Sequence, residues 1–295
     1  MLVVAVLFIY HQPRGDEIGG QTPRLPEAAN APPKVSAIRS ATASLGARAQ
    51  PKFPAAAEIR ASPDARAAYE KYKAVADPTG EIAYSLSNLV GRCIEFVDAT
   101  LLADLRSRSS KGANPARDSL IDSMVDRCKG FGGWDQNQMV DAVMALRAHA
   151  LEARFPPAIA SSLAAEFTPQ TRNQSDETAK ALLNEGYVDG EVIRGVYAYL
   201  YRRNDGVVPS GVGVDPRLMD AAWTLVQCNY GSDCDSSNYL VSFMCLYDGV
   251  CTTDVEAALR ARYPTLTAAD WREVARMESM IGSEIRDGDW TRLGF

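Results

Sequence analysis

The sequence predicts an all-α fold, an irregular bundle or solenoid of about nine or ten antiparallel helices braced by disulfides. Three observations predict it. Apolar residues recur at helical spacing, helix-start and helix-stop residues punctuate the text, and the two-residue alternation of a half-buried strand is nearly absent. The chain has 295 residues, 46% hydrophobic and 23% charged, which allows a sizeable core and excludes a fully disordered, collagen-like or multi-span membrane chain.

Three segments are expected: 1–10, a partial membrane anchor or signal segment; 11–62, a disordered Pro-rich linker; and 63–295, the helical domain. Residues 2–10 read LVVAVLFIY, nine apolar residues in a row. A membrane-spanning helix needs about 20. A signal peptide needs a basic start and a small-residue cleavage site. Neither is complete, so the run reads as the end of a membrane anchor whose first residues are missing. A buried strand or a hydrophobic tail on a cytosolic protein is the competing reading. Residues 11–63 hold eight of the sixteen prolines and no sustained apolar period, the composition of a solvated spacer. An apolar start followed by such a spacer fits a tether that holds a domain off a membrane.

From Ser62 the pattern changes. Ser62-Pro63-Asp64 offers a capping hydroxyl, a first-turn proline and an acid for the helix dipole. Asn114-Pro115 and Asp215-Pro216 repeat the cap-then-proline pair. Thr253-x-x-Glu256 reads as a capping box and Thr267-x-x-Asp270 as a looser one. Gly130, Gly186, Gly206, Gly231 and Gly288 follow helical runs, where a left-handed residue ends a helix. The core stripes are Ile82, Leu86, Leu89, Cys93 and Phe96; Leu120, Met124 and Cys128; and Val140, Met144, Ala148, Leu151 and Phe155, stopped by Pro156-Pro157. Val192, Val196, Tyr199 and Leu200 form another, and Trp271, Val274, Ile281 and Ile285 the last. No solenoid period repeats cleanly.

The six cysteines are the most specific signal. Cys93 and Cys128 lie on helical stripes, while Cys228, Cys234, Cys245 and Cys251 form two C-x-Y-x-x-x-C segments, each with a glycine, that look like a small duplication of a helix followed by a pinned turn. An even count downstream of an apolar start points to disulfides and an oxidising compartment. The preferred pairing is Cys93–Cys128, Cys228–Cys234 and Cys245–Cys251; the crossed pairing Cys228–Cys245 with Cys234–Cys251 stays open. A zinc site on the four clustered cysteines is disfavoured by their spacing. Buried free thiols in a cytosolic protein are the third reading.

Charge and chemistry exclude more than they assign. The net charge is −6 at a pI near 5.1, and residues 1–63 carry +3, leaving −9 for the rest. With Arg202-Arg203 as its longest basic run, the chain is not expected to bind nucleic acid. The mildly basic start suits an anionic membrane surface. Of the two histidines, His11 lies in the spacer and His149 in a helix, which leaves no base for a nucleophilic triad. No phosphate-loop, dinucleotide or zinc-protease motif implies a cofactor or metal. The 210–213 segment, SGVG, reads as a flexible turn and Asp233-Cys234-Asp235 as a solvated loop, not a calcium loop. Asp254, Glu256 and Asp270 read as cap and dipole residues. Glu278 is the one candidate catalytic acid: Glu278-Ser279 resembles the Glu-Ser pair of lytic transglycosylases, without the Gly-Leu-Met-Gln that follows in that family.

Three pieces carry a family resemblance: Arg127-Cys128-Lys129-Gly130-Phe131, the run from Ala222 to Cys234, and Asp287-Gly288-Asp289-Trp290 through Leu293-Gly294. Together they resemble a loose group of uncharacterised secreted or membrane-tethered all-helical proteins of proteobacteria. The resemblance spans about residues 80–295 and implies no catalytic residues. Residues 142–163 are also faintly similar to Sel1-like helical repeats, without their glycine pattern. The expectation is an envelope-exposed binding or scaffold protein, periplasmic or secreted and tethered to the inner membrane, with a protein or envelope component as partner. The alternative is a carboxylate-dependent, lysozyme-like cell-wall glycan hydrolase acting through Glu278.

Overall fold

The computed structural model describes residues 54–108, 114–184, 188–205, 214–236 and 238–289, with 293 and 295. The expected membrane segment and the linker as far as residue 53 lie outside the described residues. So do Gly186, Gly206, the 210–213 turn, Trp290 and Gly294.

The described residues form thirteen α-helices and no strand, with one isolated antiparallel bridge between Asp235 and Asp254. In order they are α1 (Pro54–Ala61), α2 (Ala65–Tyr72), α3 (Glu81–Val97), α4 (Ala99–Ser107), α5 (Pro115–Cys128), α6 (Gln136–Glu152) and α7 (Pro156–Glu166). Then come α8 (Arg172–Asn184), α9 (Gly190–Arg203), α10 (Pro216–Asn229), α11 (Tyr239–Phe243), α12 (Val255–Arg262) and α13 (Ala268–Asp287). The all-α expectation holds; the expected nine or ten helices were too few. Helices α1, α2 and α12 have eight residues and α11 five, too few turns to print an apolar period. No helix among the described residues is long and apolar enough to cross a membrane.

Helix α1 corrects the linker boundary. Residues 54–61 are helical, and Ile59 is fully buried. Three consecutive alanines favour the helix, but the decisive contacts are distant. Glu81 Oε1 accepts from Ala56 N at 2.8 Å, and Glu58 receives both Lys71 and Tyr72 of α2. A cap supplied from 25 residues downstream leaves no local trace.

The N-terminal caps follow the sequence with two corrections, and among the glycines expected to end helices Gly130 is not left-handed but lies within a 3-10 turn, Lys129–Phe131. Asn114 and Asp215 cap α5 and α10 ahead of their prolines, and Thr267 with Asp270 forms a complete capping box on α13. At α2 the cap is Asp64, not Ser62, whose hydroxyl donates to the Asp64 carbonyl at 2.8 Å. At α12 the cap is Asp254, which accepts from Ala257 N at 2.8 Å, while Thr253 donates to its carboxylate. In both places a carboxylate displaces the neighbouring hydroxyl, because an ionised acceptor also meets the helix dipole. Gly288 closes α13 in the left-handed conformation, φ 70°.

The helices enclose two main cores. The first gathers Ile59, Leu86, Leu89, Cys93, Phe96, Ile121, Cys128, Phe131, Met139 and Val143 from α1–α6. The second runs from Ala160 to Leu293 around Tyr199 and Trp223, the two largest fully buried side chains. A small cluster of Ala83, Tyr84, Ala150, Phe155 and Ala158 joins them. Leu246, far along the chain, belongs to the first core. Helices α7 and α9 pack backbone to backbone, and a Cβ added at Gly195 would sit 2.6 Å from the Ala160 carbonyl carbon.

One stripe is corrected. On α6 the buried residues are Met139, Val143 and Ala150, and Met144 is 49% exposed. Apolar residues occur all round this helix, so periodicity alone does not select its inner face.

Candidate functional site

The six cysteines form three pairs at disulfide distance: Cys93–Cys128 (Sγ–Sγ 2.05 Å), Cys228–Cys234 (1.84 Å) and Cys245–Cys251 (1.98 Å). The arrangement is the local one, not the crossed one. Cys93–Cys128 ties α3 to the end of α5 inside the first core. The two C-x-Y-x-x-x-C segments share their pairing and a left-handed glycine (Gly231, φ 87°; Gly249, φ 71°) but differ in backbone. The first begins at the end of α10 and continues as a loop, whereas the second begins within a π-helical turn, Met244–Asp248.

That π-helical turn is clamped onto the first core. Asn114 Nδ2 donates to the Gly249 carbonyl at 2.7 Å, and the Tyr247 hydroxyl donates to Glu95. The Arg117 guanidinium, 2% exposed, donates to the carbonyls of Leu246 at 2.6 Å and Leu105 at 2.5 Å. Burial pushes the Glu95 carboxyl above its usual range.

A small, solvent-open cleft lies where the two cores meet. On one side Arg60 comes from the last turn of α1, Arg92 from α3 and Arg127 from the last turn of α5. On the other side stand Asp189, the N-cap of α9, and Glu191 in its first turn. Ile59, Leu89, Phe155 and Pro157 supply apolar lining, with Ser85 and Asn88 adding polar groups.

Arg127 Nη2 donates to the Arg60 carbonyl at 2.6 Å, and its buried Nε has no hydrogen-bond partner. Burial, and then the positive charge of Arg92, lower the Arg127 guanidinium from its ordinary range. Across the cleft, burial pushes the Asp189 carboxyl up to about 6. The Val192 amide, bonded at 2.8 Å, and the Arg60 charge oppose that rise, while Glu191 adds to it. Glu191 forms an ion pair with Arg194. Arg92 and Arg194 both lie over the Tyr239 ring, at 5.2 Å and 5.9 Å.

No protein-family model, curated protein or solved structure matches this chain. The cleft is read from its own chemistry: converging guanidiniums over an apolar lining, facing a carboxyl that changes charge near pH 6.

The other residues singled out by sequence lie elsewhere. Glu278 is half-exposed on α13 and accepts from Asn229 Nδ2 at 2.9 Å; it does not line the cleft. Ser279 donates to the Ala275 carbonyl within the same helix. His149 is exposed, with Nε2 3.2 Å from the Asp77 carbonyl. Glu256 pairs with Arg260 one turn on, at 2.8 Å. The cleft residues themselves gave no sequence signal. Arg60, Arg92, Arg127 and Asp189 come from four helices, and Arg60 fell inside the presumed linker. A stripe of basic residues on one helix would have been visible; convergence across four is not.

Proposed function

We propose that this chain is an envelope-exposed, disulfide-braced helical binding module, periplasmic or secreted and tethered to the inner membrane through its N-terminal segment. The cleft between the two cores carries the binding part of this reading, since ligand sites favour such junctions and combine apolar lining with a few converging polar groups. The three cysteine pairs support the compartment, because disulfides persist where thiols are not continually reduced.

Two measurements test it. Thiol labelling without reductant, on the periplasmic fraction, should leave all six cysteines unlabelled; six reactive thiols would overturn the compartment. Thermal-shift screening with neutral and charged envelope components should give a ligand whose stabilisation disappears in Asn88→Trp, which fills the cleft. A screen with no such ligand would overturn the binding reading.

A further inference from the structure

We infer that the cleft binds its ligand by an anionic group, a carboxylate or phosphate held by Arg60, Arg92 and Arg127, with the remainder of the ligand directed to solvent. The inference deepens the binding reading above and rests on it; what it adds is the charge and chemical class of the ligand.

Three observations carry it. First, three arginines that belong to α1, α3 and α5 line one small cleft. Gathering like charges raises the energy of the empty site, and Arg127 registers the nearby Arg92 charge. An anion relieves that repulsion, and a guanidinium's planar fork matches a carboxylate or phosphate. Second, the Arg127 guanidinium is fixed in place, its Nη2 donating to the Arg60 carbonyl at 2.6 Å. A guanidinium already held in position gives up little side-chain freedom when it binds an anion. Third, the acidic wall is partly neutralised: Glu191 is engaged by Arg194.

Asp189 makes the site sensitive to proton concentration. The charges that act on it are Arg60 from α1 and Glu191 from its own helix, and Arg92 from α3, Arg127 from α5 and Tyr84 line the same cleft. Ionised Asp189 competes with a ligand for Arg60; protonated, it does not. An anion therefore binds more tightly below pH 6 than above it.

The test uses the full chain and two probes at low ionic strength, sulfate as a tetrahedral anion and succinate as a carboxylate, followed by calorimetry. The expected result is saturable one-to-one binding of at least one probe. Arg60→Ala, at an exposed side chain, and Arg92→Gln each weaken it tenfold or more. Arg276→Ala, at the exposed Arg276–Glu273 pair on α13, leaves it unchanged. The preferred probe tells phosphate-type from carboxylate-type ligands. Sulfate keeps its charge from pH 5 to pH 8, so its affinity reports on the protein; it should fall several-fold over that range in the wild type and stay level in Asp189→Asn. Failure of both probes to bind, or equal weakening by Arg276→Ala, overturns the inference. If a neutral compound binds in the cleft and is blocked by Asn88→Trp while both anions fail, only the inference falls and the binding reading stands.

Discussion

Arg117 and Leu246 are 129 residues apart in sequence and joined by a hydrogen bond, Arg117 Nε donating to the Leu246 carbonyl at 2.6 Å. The same guanidinium donates to Leu105, so one side chain fastens the π-helical turn to the end of α4. Its two acceptors are neutral carbonyls, which satisfy donors without cancelling charge.

Arg117→Met should cost about 2–4 kcal/mol, because two buried carbonyls lose their donor while the burial of a charge is relieved. Arg117→Lys should recover only part of it, since an ammonium cannot fork to both acceptors. Urea unfolding measures both; a loss below about 0.5 kcal/mol in Arg117→Met would show the clamp to be idle.

Gly195→Ala sets two effects against each other. Alanine in a helix interior is worth about 1 kcal/mol over glycine. A Cβ here would press on the Ala160 backbone, whose carbonyl carbon stands 2.6 Å from its ideal position. Backbone cannot step aside as a flexible side chain can, so α7 and α9 must separate. The net change should be a destabilisation of about 2 kcal/mol or more, visible as a lower Tm.

The three cysteine pairs should differ in their contribution. Cys93–Cys128 spans 35 residues, and each of the others spans six. The loop-entropy relation assigns about 4 kcal/mol to the long bridge and about 2.4 kcal/mol to each short one. Paired Cys→Ala replacements followed by denaturant titration should reproduce that ranking; equal losses would contradict it.

Asp189 predicts a pH trend. Its carboxyl titrates near 6 in the folded chain, above the 3.8 of an ordinary aspartate. Over that interval the folded state holds the proton and the unfolded state has released it, so stability falls as pH rises from about 4 to about 6. The ionised group costs about 2–3 kcal/mol at neutral pH. Asp189→Asn keeps the N-cap acceptor and should raise stability at pH 7.5 by about 1–2 kcal/mol while flattening this part of the pH profile.

Asp220 receives the Tyr197 and Tyr263 hydroxyls, each at 2.5 Å, beneath a Tyr197–Trp223 stack with centroids 5.6 Å apart. Burial, with the Asp220 charge second, raises both phenols above the ordinary tyrosine range. Alkaline titration followed by ultraviolet absorbance should find them resisting ionisation until the chain unfolds. Tyr263→Phe should cost about 1–3 kcal/mol, the price of leaving the carboxylate one donor short.

Much of this was legible in the sequence, for identifiable reasons. Leu86, Leu89, Cys93 and Phe96 are buried as their spacing required, and so are Val192, Val196, Tyr199 and Leu200. Both stripes sit on amphipathic helices with one apolar face. Asn114-Pro115 and Asp215-Pro216 were readable because capping is settled within four residues. What failed to show depends on distant partners. Helix α1 is capped by Glu81, Leu246 leaves the segments around it to enter the other core, and the cleft draws its charges from four helices. No window along the chain contains those pairs.

The placement of Leu246 bears on the order in which the protein can be completed. The first core is otherwise built from residues up to Val143, all of them made well before Leu246. A nascent chain can assemble α1–α6 and close Cys93–Cys128, yet this half lacks its plug until the π-helical turn has emerged behind α7–α11. The half that is synthesised first thus waits on a residue from the second, although α12 and α13, made later still, complete the second core after it.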